Sequence, residues 1–274
     1  MQAWATAARS ELNTNCTLAA DINLTGEWTP IGPDNWHQYT GTFNGDGHTI
    51  SGLTVTGSDE YAGLFGVIGE NGTVKNLKLT EVNIKGISKV GTVAGYNHGT
   101  ITGCSAAGIV TGNSLVGGII GIQNKGTIIG CHSSATVEGN GYVGGVVGYM
   151  ETFTMTAIIA CSSTGDVEAK KEYAGGVVGY IMNGTITACY ATGKVTGSRY
   201  TGGVAGFNSS GTITACYWSG ENTTGVGRGN TSGTTKVTDG NWTEAMNAMN
   251  TALSDTGWRY VRGTNGLPIL ERNQ

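Results

Sequence analysis

The stretch VGGVVG at 143–148 decides the fold, because close copies of it recur along the chain. The copies end at Gly66, Gly95, Gly121, Gly148, Gly179 and Gly206, reading AGLFG, VGTVAG, VGGIIG, VGGVVG, AGGVVG and TGGVAG. The intervals are 29, 26, 27, 31 and 27 residues. A second phrase follows each copy: GTVKNL at Gly72, GTITGC at Gly99, GTIIGC at Gly126, TAIIAC at Thr156, and GTITAC at Gly184 and Gly211. A fixed period of this length marks a stacked repeat, in which one unit alone cannot bury its apolar face.

Aligned phrases give columns of like residues. The first phrase supplies Leu64, Val93, Ile119, Val146, Val177 and Val204. The second supplies Val74, Ile101, Ile128, Ile158, Ile186 and Ile213 and, three residues on, Leu77, Cys104, Cys131, Cys161, Cys189 and Cys216. A strand alternates faces with period two, so two inward columns three apart require a corner between them. A fourth column is Val110, Val137, Val167 and Val195. Each period therefore holds about three short strands, and nothing between them has the length or spacing of a crossover helix. The prediction is all-β: one parallel β-helix of coils of roughly 27 residues, stacked about 4.8 Å apart. The whole chain, 1–274, reads as one domain: a cap and first coils at 1–60, six repeats at 61–218, and a C-terminal cap at 219–274. Open ends of a solenoid expose unpaired backbone and need covers. Trp4, Trp28 and Trp36 precede the repeats; Trp218, Trp242 and Trp258 follow them. Short helices are expected over 2–11 and over 243–253, where Met246, Met249 and Leu253 share one face, the second placed over the C-terminal end.

Composition narrows the function classes. Gly contributes 48 of 274 residues and Pro only 3, without the strict triplet of collagen. Charged residues are 12% and the net charge is −4, which argues against nucleic acid as a partner. No run of 18 apolar residues predicts a membrane span. The N-terminal MQAWATAARSEL lacks the charged-then-apolar order of an export signal.

The glycine phrases, best copied as Ala62-Gly63-Leu64-Phe65-Gly66, resemble GLUG repeats. The segments CTLAADINL, WTPIG and GTFNGDGHTISGLTV are similar to the lead-in that precedes such repeats in bacterial surface proteins. The likeness runs from about Trp4 to Leu270. It implies a right-handed, pectate-lyase-like β-helix, secreted or surface-attached, in proteins often described as adhesins. Similar repeats sit beside a zinc protease module in immunoglobulin-cleaving enzymes. None of the four His here is followed by Glu, so that module's H-E-x-x-H motif is missing from this sequence. The resemblance brings no active site that can be transferred.

Chemistry-bearing residues are few. The cysteine column has no C-x-x-C pair for a metal, and stacked side chains are too far apart for easy disulfides. Buried free thiols are expected there and at Cys16. His37, His48, His98 and His132 fall at different phases, with no Ser at a matching phase for a triad. The string Asn44-Gly45-Asp46-Gly47 reads as a tight turn rather than a calcium loop. No catalytic residue, metal or cofactor is assigned. Glu138 and Glu168 fall on adjacent coils and could act on a glycosidic bond, or be solvated charges.

The outward aromatics carry the leading reading. Tyr142, Tyr173 and Tyr200 share the phase just before the glycine phrase, as does Tyr61, with Lys89 and Leu115 between. Tyr96, Tyr149, Tyr180 and Phe207 follow the phrase. The fourth repeat is lengthened at 151–155 and carries Lys170, Lys171 and Glu172. Tyr142, Tyr173, Tyr200, Lys170, Lys171 and Arg199 are therefore the candidate contact strip for a glycan or surface-protein partner on a monomeric module. Stacking that only stabilises the rod is the competing account. A polysaccharide lyase or hydrolase and a passive spacer are the alternative functions.

Overall fold

A computed structural model describes residues 1–57, 60–151 and 156–273. The chain is a right-handed parallel β-helix of about seven turns, with two short helices. One face is a seven-stranded parallel sheet built from the glycine-phrase strands, Phe65–Ile68 through Val226–Gly229. A second, eight-stranded face carries the GTIT strands, from Cys16–Thr17 to Thr212–Thr214. Pairing is in register from coil to coil, as in Val74↔Ile101↔Ile128↔Ile158↔Ile186↔Ile213. Both predicted aliphatic columns point inward. Leu64, Val93, Ile119, Val146, Val177 and Val204 are fully buried, and Ile213, near the end, is 6% exposed.

The corner predicted between the Ile and Cys columns is a single left-handed residue. Asn76, Gly103, Gly130, Ala160, Ala188 and Ala215 hold it, with φ between 49° and 66°. The strand turns there, and the following Cys points inward. All five column thiols are free and buried. Cys16, expected to be buried, is only half-buried, because its strand belongs to the first coil.

The paired glycines of the phrase have separate causes. A Cβ on Gly144 would lie 2.0 Å from the Val147 carbonyl oxygen, because the chain folds back on itself there. A Cβ on Gly145 would lie 2.2 Å from Ser163 Oγ, across the narrow coil interior. The same cross-coil position is Ser133 one turn earlier, facing Gly118. On the last turns it is Trp218, whose ring faces Gly203 and Gly225 and plugs the rod.

Helix α1 (Gln2–Ser10) covers the other end. Ala5 and Ala8 are fully buried, and the Trp4 ring packs on Phe43, Tyr39 and Phe65 at 4.9, 6.2 and 6.3 Å. Trp36 is no part of this cover and stands 90% exposed.

Helix α2 (Thr243–Ala252) buries Met246 and Met249 as its spacing predicts, and Leu253 just beyond it. The surface it covers is a flank of the rod, where it packs with Ala160, Ala188 and Tyr190. An antiparallel hairpin (Trp258–Arg262 and Pro268–Arg272) continues along that flank. It runs back toward the first coils, where Arg272 donates to Asn76 Oδ1 at 3.4 Å. The small residues of the corner column form its seat.

Candidate functional site

The aromatic face is built by two adjacent outward columns. One precedes the glycine phrase: Tyr61, Lys89, Leu115, Tyr142, Tyr173 and Tyr200. The other follows it in register: Val67, Tyr96, Ile122, Tyr149, Tyr180, Phe207 and Arg228. Parallel in-register stacking brings successive rings to the coil spacing. Tyr142 and Tyr173 stack at 5.3 Å, and so do Tyr173 and Tyr200. Tyr149, Tyr180 and Phe207 follow at 5.2 and 4.8 Å. The columns also interlock, with Tyr173 edge-on to Tyr180 at 5.3 Å and stacked on Phe207 at 5.6 Å. All six of these rings are half-buried, so each leaves an accessible part.

The cations divide differently from expectation. Arg199 lies over the Tyr200 ring at 5.3 Å. Lys170 instead reaches toward Glu138, 4.0 Å away on the neighbouring face. Lys171 is exposed, and its carbonyl accepts a hydrogen bond from Ser198 Oγ at 2.8 Å. Arg228, missed in the sequence, completes the face. Its guanidinium covers Tyr200 at 5.1 Å and Phe207 at 5.4 Å, and donates to the Tyr200 hydroxyl at 3.0 Å. The signal was present: Arg228 holds the phase of Phe207 one turn later, hidden because the glycine phrase degenerates to VG at 226–227. At the opposite end, Asn35 donates to the Tyr61 hydroxyl at 3.3 Å. Burial, then the Glu172 carboxylate, raises the pKa of Tyr142 and of Tyr173, so both stay protonated in neutral solution. The lengthened turn of the fourth repeat falls, from 152 to 155, outside the described residues.

Glu138 and Glu168 are neighbours in register, as expected. With Asp166 and Lys194 they line a shallow cleft of about 210 Å³. Asp166 Oδ1 accepts the backbone N–H of Lys194 at 2.9 Å, which holds the acid in place.

The register also makes a contact that the sequence reading denied. His132 pairs with Ser162 on the next coil, with Nδ1 2.9 Å from Ser162 Oγ. Each residue directly follows a column cysteine, Cys131 and Cys161, so the two share one phase. Among the described residues the His132 ring bonds to no carboxylate, so the pair lacks the third member of a triad.

Comparison with known proteins agrees with the repeat reading. Residues 112–138, 139–168 and 172–196 match the family described as the GLUG motif, so three of the coils are GLUG motifs. Halomucin of Haloquadratum walsbyi is 40% identical over 113 residues, which is 41% of this chain and 1% of that protein. A protein of Evansella cellulosilytica named "Putative Gly-rich membrane protein" is 42% identical over 99 residues, 32% of this chain and 11% of that one. The chain thus spans a small part of the curated relatives it matches. Among solved structures, a "putative immunoglobulin A1 protease" from Bacteroides ovatus superposes with a TM-score of 0.70. That match covers 97% of this chain and 89% of the other at 20% identity, a likeness of fold. No described helix is long and apolar enough to cross a membrane.

Proposed function

We propose that the chain is a non-enzymatic, adhesin-like module of a secreted or cell-surface protein, acting as a monomer and binding an extended ligand along its aromatic face. One observation carries this reading. Six stacked, half-accessible rings lie in two columns, with Arg199 and Arg228 at one end. Flat aromatic faces with polar tips suit sugar rings, and exposed guanidinium groups suit carboxylate or sulfate groups. An acidic glycan running along the rod axis would meet one ring per coil. The names of the relatives, a halomucin and a membrane protein, support a surface setting.

A glycan and mucin array with the purified chain tests the proposal. Binding to an acidic glycan should fall in the Tyr142→Ser/Tyr173→Ser double variant while the melting temperature stays close to the parent's. Lost stability with unchanged binding would leave the tyrosines as packing between coils, with the ligand held elsewhere.

One observation favours a second reading, a polysaccharide lyase or hydrolase. Glu138 and Glu168 sit side by side with Asp166 and Lys194 in one cleft. Coil spacing of about 4.8 Å is near the ~5–5.5 Å between the carboxyl groups of retaining glycosidases. Release of reducing ends or unsaturated products from a polysaccharide panel, lost in Glu138→Gln, would favour that reading over binding alone.

A further inference from the structure

The C-terminal hairpin does not close flush against the rod. A cleft of about 440 Å³ lies between them, within the size range of small-molecule sites. Its rod wall takes Ser105, His132 and Ser162 from three successive coils in register. Their polar groups therefore repeat at about the coil spacing of 4.8 Å. Thr164 adds a further hydroxyl, while Trp258 and Leu270 of the hairpin form an apolar wall. Among the described residues no Asp, Glu, Lys or Arg lines the cleft itself; Arg272, stacked on the Trp258 ring at 4.9 Å, lines the adjoining hollow. Burial lowers the His132 pKa, so the ring is neutral near pH 7. One wall thus presents uncharged groups able to donate and accept hydrogen bonds. The other presents flat indole and aliphatic surface.

This pairing selects the ligand class. A charged ligand would lose its hydration without gaining a partner of opposite charge. A wholly apolar ligand would leave the hydroxyls of Ser105 and Thr164, and the His132 ring nitrogen that does not face Ser162, without a ligand partner. A pyranose has an apolar C–H face and a rim of neutral hydroxyls, which matches both walls. We infer that the cleft between the C-terminal hairpin and the rod is a binding site for one neutral sugar unit. This site lies apart from the aromatic face and does not rest on the function proposed for it.

The test titrates the full chain with D-glucose, D-galactose, D-mannose and L-fucose separately, followed by NMR of the His132 ring protons and by Trp fluorescence. At least one sugar should give saturable changes in both signals. D-Glucuronate should bind at least about tenfold more weakly than D-glucose, since no cation is among the lining residues and the nearby Arg272 is stacked on the Trp258 ring. Thr164→Val, which removes one hydroxyl at equal size, should weaken the best sugar roughly tenfold. Ser105→Leu, which fills the cleft from its half-buried wall, should abolish binding at an unchanged melting temperature. The Tyr142→Ser/Tyr173→Ser variant should bind as the parent does, which separates this site from the aromatic face. The inference is overturned if no sugar perturbs His132, if glucuronate binds as tightly as glucose, or if binding survives both the Thr164→Val and Ser105→Leu changes.

Discussion

Tyr190 of the rod and Tyr260 of the C-terminal hairpin pack ring to ring at 5.8 Å, and each donates its hydroxyl proton to a carbonyl of the other's segment. Tyr190 bonds to Pro268 at 2.5 Å and Tyr260 to Ala188 at 2.9 Å. Both bonds are buried. A hairpin held this way is a strap along the coils, not only a lid on the last one.

Two substitutions test the strap. Tyr260→Phe removes one buried hydrogen bond and should cost about 1–2 kcal/mol. Gly130→Val should do more to the strap. Gly130 has a φ of +66°, and a Cβ there would meet Trp258 Cζ2 at 3.0 Å and Leu270 Cδ2 at 3.1 Å. Hydrogen exchange at 258–272 should accelerate in Gly130→Val, with the Trp emission shifted to the red, while the far rod face keeps its protection. Unchanged exchange in the hairpin would show that the corner glycine is not its seat.

How much of this was legible follows from what the sequence repeats. The inward columns at Val146 and Ile158 were readable because every coil imposes the same size at the same place. The corner was readable as a spacing of three, though not as a left-handed residue, because Asn76, Ala160 and Gly130 share only smallness or tolerance of positive φ. The flank contact was not legible. It is made once, between Tyr260 and Ala188, and a contact without a period leaves no periodic trace. Arg228 was lost for a related reason: the glycine phrase fades after Phe207, so the phase is hard to count on to it. The His132–Ser162 pair was legible, because each residue directly follows a column cysteine, Cys131 and Cys161. Proximity in sequence to Tyr173 did not reveal that Lys170 reaches toward Glu138, because it says nothing about which side of a corner a side chain takes.

The thiol column gives a sharper chemical expectation. The hydrogen bond with Cys131, and then burial, pushes the Cys104 thiol well above its usual pKa. Burial does the same for Cys131 and Cys189. Each column Sγ lies 3.7–4.0 Å from a carbonyl of the preceding Ile or Val strand, so the column is packed on both sides. An aromatic disulfide reagent should label only half-buried Cys16 in the native protein, and slowly. All six should react after denaturation without reductant. Rapid native labelling of Cys131 or Cys161 would contradict the packing.

Val146→Asp probes the inner column. Val146 is fully buried, and its carbonyl accepts the N–H groups of both Ile119 and Ile120 on the preceding coil. Among the described residues no Lys or Arg is buried, so a carboxylate there has no partner cation. The loss should exceed about 4 kcal/mol, from an unpaired buried charge and an emptied packing position. Because coils contact only their neighbours, exchange protection should fail first around Ile119 and Val177. A variant that melts like the parent would put Val146 on the outside.

Acid sensitivity should appear in two windows. His98 and His132 both have lowered pKa values, caused first by burial; for His98 the Lys125 charge adds to it. His98 Nδ1 is buried without a partner, consistent with a neutral ring. A depressed histidine means that the unfolded chain binds the proton more tightly. Stability is therefore complete above the ordinary histidine pKa of about 6.5 and declines as pH falls below it. Asp21, lowered by the Thr49 backbone hydrogen bond and then by His48, and Glu70, lowered by its bond to Lys125, also stabilise the charged form. Their contribution is lost only in the carboxylate range, below about pH 4. Between about pH 7 and 5 the histidines alone should act, lowering the melting temperature by a few degrees. His98→Leu combined with His132→Gln should flatten the profile over that interval and leave the steeper fall below about pH 4 in place. A double variant whose melting temperature still drops between about pH 7 and 5 would mean that groups other than these two imidazoles carry the fall.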